Sequence, residues 1–440
     1  MRAALLVLTL AALAAGCSRR DRANPLDPSN PTTGGRPANF IAVAGYSVVT
    51  LTWAQQPANA IDGYRLERMS PGDTAYRVIG GDLPATAARY VDAGVPNGAL
   101  ERYRLYFLVR GAVTNEPAED QATPGALRPW VADGGAQQLA RLSPDGRHVA
   151  FTVTGVGAAQ SLAQNPLTGV AWCASADDGF LTQVDVDGTI LFQQTGLQAP
   201  SEIALGPGDG SAWFCARSTS TQVGAVLHVD ASGAPRAPTA LSPLDDPMSV
   251  AVSPRDFSVW VAEYGGRRVI HYSATGALMG ATVLSSPERV LVDSATNVTW
   301  VSSNQQGEIW RLAVNGALID SSSAASGPLG MAIDHAHGRA WVTDPRAGQL
   351  LALDPSTLAV VVRVQGLDGV WDVAVDPASG DAWVTVRGQQ AVLRFDRDGH
   401  LLERCGGFGD PFEIRLDPGT EGAEPGRAAS AVRAAARRAR

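Results

Sequence analysis

Residues 339–380 open with Ala340-Trp341-Val342-Thr343-Asp344, and that phrase returns along most of the chain. It recurs at Trp130, Trp172, Trp213, Trp260, Trp300 and Trp383, at intervals of 40 to 47 residues. A fixed period of roughly 40–45 residues marks an array in which each unit is one small sheet. Such a sheet cannot bury both faces alone, so it must stack on its neighbours. Four short strands are predicted in the unit headed by Trp341: 341–343, 349–353, 360–364 and 372–375. Gly188, Gly233, Gly276, Gly316 and Gly399 recur after an apolar run, with Asp185, Asp230, Asp354 and Asp396 just past the last apolar residue. Asp offers side-chain turn bonds there, and Gly offers positive φ.

The strand ahead of each Trp is equally regular. It reads Ile203-Ala204-Leu205, Val250-Ala251-Val252, Val290-Leu291-Val292, Met331-Ala332-Ile333, Val373-Ala374-Val375 and Ile414-Arg415-Leu416. Short, nearly all-apolar strands are covered on both faces, and a central Ala lets them crowd toward an axis. The array begins on a Trp strand at Trp130 and ends on a strand of the preceding type at 412–416. The last strand is therefore expected beside the first, closing seven four-stranded units into a ring without free edges. This pattern resembles the bacterial propellers built from NHL or YVTN-type repeats, a group that includes streptogramin lyase-like proteins. The resemblance covers residues 128–417 and implies a fold, since one such fold serves many activities.

Residues 37–124 make a separate β unit. Residues 48–53, 64–68 and 103–109 alternate apolar with polar, and Pro71-Gly72-Asp73 and Pro96-Asn97-Gly98 separate the runs. Several short strands so spaced read as a sandwich. The unit resembles a fibronectin type III domain, with Trp53 ending the second strand, Tyr64 and Leu66 on the third, and Tyr103 as the tyrosine-corner residue. The expected fold class is thus all-β: a fibronectin type III-like β-sandwich followed by a seven-bladed β-propeller.

The ends have their own chemistry. Residues 1–17, MRAALLVLTLAALAAGC, carry Arg2, then an apolar run too short for a permanent span, then small residues before Cys17. That is the layout of a signal peptide. Ala14-Ala15-Gly16-Cys17 resembles the bacterial lipobox, which implies acylation of Cys17 and stable anchoring by two or more chains. Ser18 after the Cys resembles the signal for passage to the outer membrane. Residues 18–36 are rich in Pro and Gly and read as a disordered spacer. Residues 418–440, rich in Ala and Arg, have no apolar stripe to bury and read as a disordered tail.

Composition excludes several classes. A formal charge of −8, with no basic stripe in the folded part, argues against nucleic acid as a partner. The chain has no Lys, which removes a Walker-type phosphate loop and any Schiff-base lysine. No nucleophile elbow or Ser-His-Asp order is found, so no catalytic residue is assigned. Cys173 and Cys215 are set one and two places after their Trp, on opposite strand faces, without metal-ligand spacing; they and Cys405 read as small buried hydrophobes.

His228 and His271 share a slot with Arg141, Gln183, Arg311, Ala352 and Arg394, which reads as a polar face. His335 and His337 form a His-x-His pair in one turn. The informative slot is where each innermost strand begins: Ser161, Glu202, Ser249, Arg289, Gly330, Asp372 and Glu413. Three carboxylates converge there and cost energy unless a proton, a cation or Arg289 offsets them. Ser161, Glu202, Arg289, Asp372 and Glu413 are therefore the candidate polar or cation site. No cofactor is required, although a divalent cation such as calcium suits the oxygen ligands. Asp133, Glu263 and Asp344, three places past their Trp, are either rim or turn residues. The expected role is a lipid-anchored, monomeric envelope protein that binds protein, peptide or glycan. The alternative is a surface lyase or lactonase-type enzyme using a metal in the channel.

Overall fold

The computed structural model describes residues 24–417 apart from 58, 59, 126, 166, 167, 208, 219, 220 and 222. The Cys17 motif and the 418–440 tail lie outside the described residues. The chain is all-β and divides into two units, 1–126 and 127–440.

In the first unit, strands Ile41–Ala44, Val48–Thr52 and Arg89–Ala93 form one sheet. Gly63–Met69, Arg77–Pro84, Glu101–Val109, Ala112–Val113 and Ala118–Ala122 form the other. Alternation places Leu51, Tyr64, Leu66, Tyr103, Leu105 and Phe107 in one core, all without exposure. Trp53 packs on Tyr64 and Tyr64 on Phe107, with ring centroids 5.4 and 5.9 Å apart. The Tyr103 hydroxyl donates to Asp92 at 3.0 Å, so it secures the strand Arg89–Ala93. Residues 24–36 depart from the expected spacer. Leu26 packs on this core, and Thr33 and Asn30 donate to the Pro25 and Asn24 carbonyls at 2.7 and 2.9 Å. One apolar side chain and a set of Asx and hydroxyl turns are enough to fold that segment back.

The second unit contains, among the described residues, seven four-stranded antiparallel sheets. Sheet I comprises 128–154 and 411–417. Sheets II to VII follow as 161–194, 201–245, 247–283, 289–322, 331–365 and 370–406. The strand Pro411–Asp417 pairs with Arg128–Asp133, Ile414 opposite Val131, so both ends of the array share one sheet. The seven repeating tryptophans are the reason sheets stack in order. Trp130 packs among Leu162, Cys173 and Val184 of sheet II, and Trp172 on Ile203 and Phe214 of sheet III. The pattern continues until Trp383 of sheet VII meets Val131, Ala140 and Ile414 of sheet I. All seven are at most 3% exposed. Each indole fills the gap to the following sheet, and truncating one would cost about 3–5 kcal/mol. The recurrent turn glycines adopt φ of +79° to +88° at Gly188, Gly233, Gly276, Gly316 and Gly399, a region closed to most side chains.

Candidate functional site

In sheets II to VII the first strand lies innermost, and in sheet I the last, Pro411–Asp417; the starting slot of that strand behaves as a stitch between sheets. Leu162 N–H donates to Glu413 Oε2 at 2.8 Å, Ile203 N–H to Ser161 Oγ at 3.1 Å, and Val290 N–H to Ser249 Oγ at 3.1 Å. Ile414 N–H donates to Asp372 Oδ2 at 3.1 Å. In each case the slot residue accepts from the amide one place past the slot of the next sheet. A second set runs the other way, two residues after the Trp. Ser302, Thr343 and Thr385 hydroxyls donate to the carbonyls of Leu329, Trp371 and Phe412 at 2.8, 2.7 and 2.6 Å. Strands too short to hold a ring by sheet bonds alone are thereby cross-linked around the axis.

The charged members of the slot meet. Arg289 of sheet V donates to both Glu202 of sheet III and Glu413 of sheet I. Arg415, one of the apolar-strand residues in the sequence pattern, turns into the same cluster. It lies 2.6 Å from Asp372 and 3.2 Å from Glu413. Burial raises the Glu413 carboxyl, but Arg289 and Arg415 outweigh it and hold the group below its usual range. Burial pushes Asp372 up, opposed by Arg415 and helped by the Glu413 charge. The candidate residues Glu202, Arg289, Asp372 and Glu413 are thus brought together, with Ser161 beside them as an inter-sheet acceptor. Two guanidinium groups stand between the carboxylates where a metal would need to sit. Among the described residues no group of three His, Cys, Asp or Glu side chains is arranged to hold a metal ion.

Other candidates resolve into local roles. Asp133, Glu263 and Asp344 are buried caps. Asp133 accepts from Gly409 and Asp410 amides, the latter at 2.7 Å, and Glu263 from the Asp245 amide at 2.8 Å. Asp344 accepts from Ser326, Gly327 and Ala347 amides at 2.7, 3.0 and 3.0 Å. His335 faces Asp293 at 2.6 Å and His337 faces Asp334 at 2.7 Å, so the pair turns to two different carboxylates.

The slot of His228 and His271 is not a polar face. Each lies opposite its Trp in the register and stacks on it, Trp213–His228 and Trp260–His271 both at 3.8 Å between centroids. Cross-strand partners share a face, and here that face is sealed by the next sheet; burial pushes both imidazoles down. Arg141, Gln183 and Arg394, in the same slot, reach the Val186, Ala231 and Asp145 carbonyls of the following sheet at 2.7, 3.0 and 3.2 Å.

Immediately above the ionic cluster, where the innermost strands begin, a 560 Å³ cavity opens. The residues one place before the slot line it: Gln160, Ser201, Met248, Glu288, Leu329, Trp371 and Phe412. One arc is apolar, with Trp371 and Phe412 edge to face at 5.8 Å. Arg387 covers both rings, at 4.4 and 4.0 Å, and is held by Asp410 through two 2.6 Å bonds. The other arc carries Gln160, Ser201 and Glu288, whose carboxyl is raised by burial. Arg217 and Arg346 add cations, and Arg217 is paired with Asp246. This ring lies one residue before the slot that the repeat marks in the sequence. Trp371 was the available signal, being a tryptophan out of phase with the repeat.

No protein-family model matches the chain, and no curated protein matches it. Solved structures do. A functionally unknown protein from Desulfotomaculum acetoxidans DSM 771 superposes with a TM-score of 0.57 at 12% identity, covering 67% of this chain and 99% of that one. Dihydro-heme d1 dehydrogenase NirN, in complex with DHE, gives 0.50 at 15% identity over 66% and 75%. A streptogramin B lyase gives 0.48 at 15% over 63% and 85%. At these identities the likeness to the first two is one of fold, and with its seven four-stranded sheets this chain contains a β-propeller.

Proposed function

We propose that the protein is a binding protein of the bacterial envelope, anchored through lipid on Cys17, most suitably in the outer membrane. A fibronectin type III-like sandwich acts as spacer, and a seven-bladed β-propeller recognises protein, peptide or glycan at the mouth of its central channel. The observation that carries this reading is the mouth itself. It is a concave site with an aromatic-apolar arc facing a hydrogen-bonding arc, the makeup of a recognition pocket, over a floor whose charges satisfy one another. The alternative, a lyase or lactonase-type enzyme with a divalent cation in the channel, is less well supported because Arg289 and Arg415 already engage the carboxylates.

Peptide and glycan arrays probed with the full mature chain test the reading. Ligands bound by the wild type should be lost in Ser201→Arg, which fills the mouth from a half-buried strand start that lines it. They should weaken in Trp371→Ala by the roughly 2 kcal/mol of a hot-spot truncation. Binding that survives both changes in a protein of unaltered Tm overturns the mouth as the site. Palmitate labelling lost in Cys17→Ser tests the anchor.

A further inference from the structure

Among the arginines that line the mouth, Arg346 differs from the rest. Arg289 is shared by two carboxylates and Arg217 is paired with Asp246. Arg346 is held by neutral oxygens, the Ser326 carbonyl at 3.2 Å and Asn304 Oδ1 at 3.5 Å. Among the described residues it forms no ion pair within 4 Å, and the one carboxyl whose charge it feels is that of Glu288 in the same cavity, where burial outweighs the pull of Arg346. Its loop is nevertheless rigidly built. Asp344, fully buried, fixes the Ser326, Gly327 and Ala347 amides and the Gln349 side chain, the last at 2.8 Å. Gly327 makes room for the pair: a Cβ there would stand 2.9 Å from Arg346 Cβ and 2.8 Å from Asn304 Nδ2. Asn304 in turn donates to the Gly327 carbonyl at 2.8 Å, so both ends of its amide are engaged.

A charge oriented by neutral acceptors at the rim of an open cavity is complementary to an anion, and a guanidinium fork suits a carboxylate. What surrounds it decides the rest of the ligand. Leu329, Met248, Trp371 and Phe412 supply four large apolar side chains to the same cavity. Much of the hydrogen-bonding arc is already committed: Asn304 is used up, the Gln160 amide nitrogen is tied to Asp177 at 3.2 Å, and Glu288 accepts from the Gln305 amide at 3.2 Å. That balance favours an apolar body with one anionic end over a saccharide, which needs many hydroxyl partners.

Building on the mouth as the binding site, we propose that its ligand is the apolar C-terminus of a peptide. The terminal carboxylate lies on Arg346, and the last side chain lies against Leu329, Met248 and Trp371.

The test uses acetylated tripeptides ending in Leu, Phe, Met or Val, each as free acid and as C-terminal amide, titrated against the full chain by Trp fluorescence. The acid of at least one peptide should bind roughly tenfold or more tighter than its amide, the scale of one charge-assisted bond. Arg346→Gln, at an exposed side chain, should erase that difference by bringing the acid's affinity down to the level of the amide's. Equal binding of acid and amide overturns the proposal, as does discrimination that survives Arg346→Gln. If no tripeptide acid binds but a uronate oligosaccharide does, and Arg346→Gln abolishes it, the peptide assignment is overturned. If Ser201→Arg leaves a bound tripeptide in place, it is the mouth reading that fails rather than the choice of ligand.

Discussion

At the scale of the residue, His228 and His271 show how a repeat position can mislead. Their slot tolerates Arg, Gln and Ala in other sheets, yet both imidazoles lie flat on a buried indole, 5% and 3% exposed. Burial holds their folded values below the ordinary histidine range, near 6.5. The sign follows from linkage. The unfolded chain takes up protons first as pH falls through about 6.5, so these groups stabilise the fold above that value. The contribution is lost on the acid side, down to the depressed folded values. Tm should therefore drop more steeply between about pH 7 and pH 5 in the wild type than in His228→Gln/His271→Gln. Parallel slopes for the two proteins in thermal melts would refute the assignment. The thiols give the companion case: burial pushes Cys173 up to about 12 and Cys405 up to about 11, and all three described cysteines are free and buried.

At the scale of the element, the innermost strand is the unit of assembly. Its four to seven residues make too few sheet bonds to fix the angle between neighbouring sheets, and the side chains at and beside the slot supply what is missing. Thr385 is the clearest instance. Its hydroxyl donates to Phe412 in the next sheet at 2.6 Å and accepts from the Asp372 amide at 3.0 Å, linking sheets VII and I. Thr385→Val, nearly the same shape, should cost about 1–3 kcal/mol, because it leaves the buried Asp372 amide without its acceptor and the Phe412 carbonyl without its donor. Ser249→Ala should cost a similar amount, because it leaves the buried Val290 amide without its acceptor. Urea titration at constant m-value measures both. No loss in either variant would mean that the stitches are incidental to the stacking of the tryptophans.

At the scale of the whole molecule, Arg289 ties three sheets that are not neighbours in sequence. Its side chain is 17% exposed and meets Glu413, at 1%, and Glu202, at 12%. Arg289→Ala should destabilise the propeller by about 3–5 kcal/mol, since it leaves two carboxylates facing each other in a low-dielectric channel. Adding Glu202→Gln to that variant should recover part of the loss, which is non-additivity of the kind expected inside one ionic cluster. Equal stability of Arg289→Ala and wild type in guanidinium titrations would show the cluster to be solvated and dispensable. The tryptophan period, the turn glycines and the apolar innermost strands were all legible in the chain, because each reflects a local demand repeated in every sheet. The slot was legible too, since register puts equivalent residues at equivalent depths. What could not be seen was the direction in which Arg415 turns, or that the ring one residue earlier, with Trp371 and Phe412, lines the open cavity.

By itself the amino-acid sequence determined the all-β class, the repeating four-stranded unit, and the meeting of the last strand with the first. Those follow from periodicity and from the need of each sheet to cover its faces, which one chain segment expresses alone. Only the tertiary structure decided that arginines from sheets V and I neutralise carboxylates from sheets III, VII and I. It alone also decided that Arg346 stands at the rim held by neutral oxygens. Charge pairing across an axis depends on distances between residues tens to hundreds of positions apart, and no local pattern encodes them.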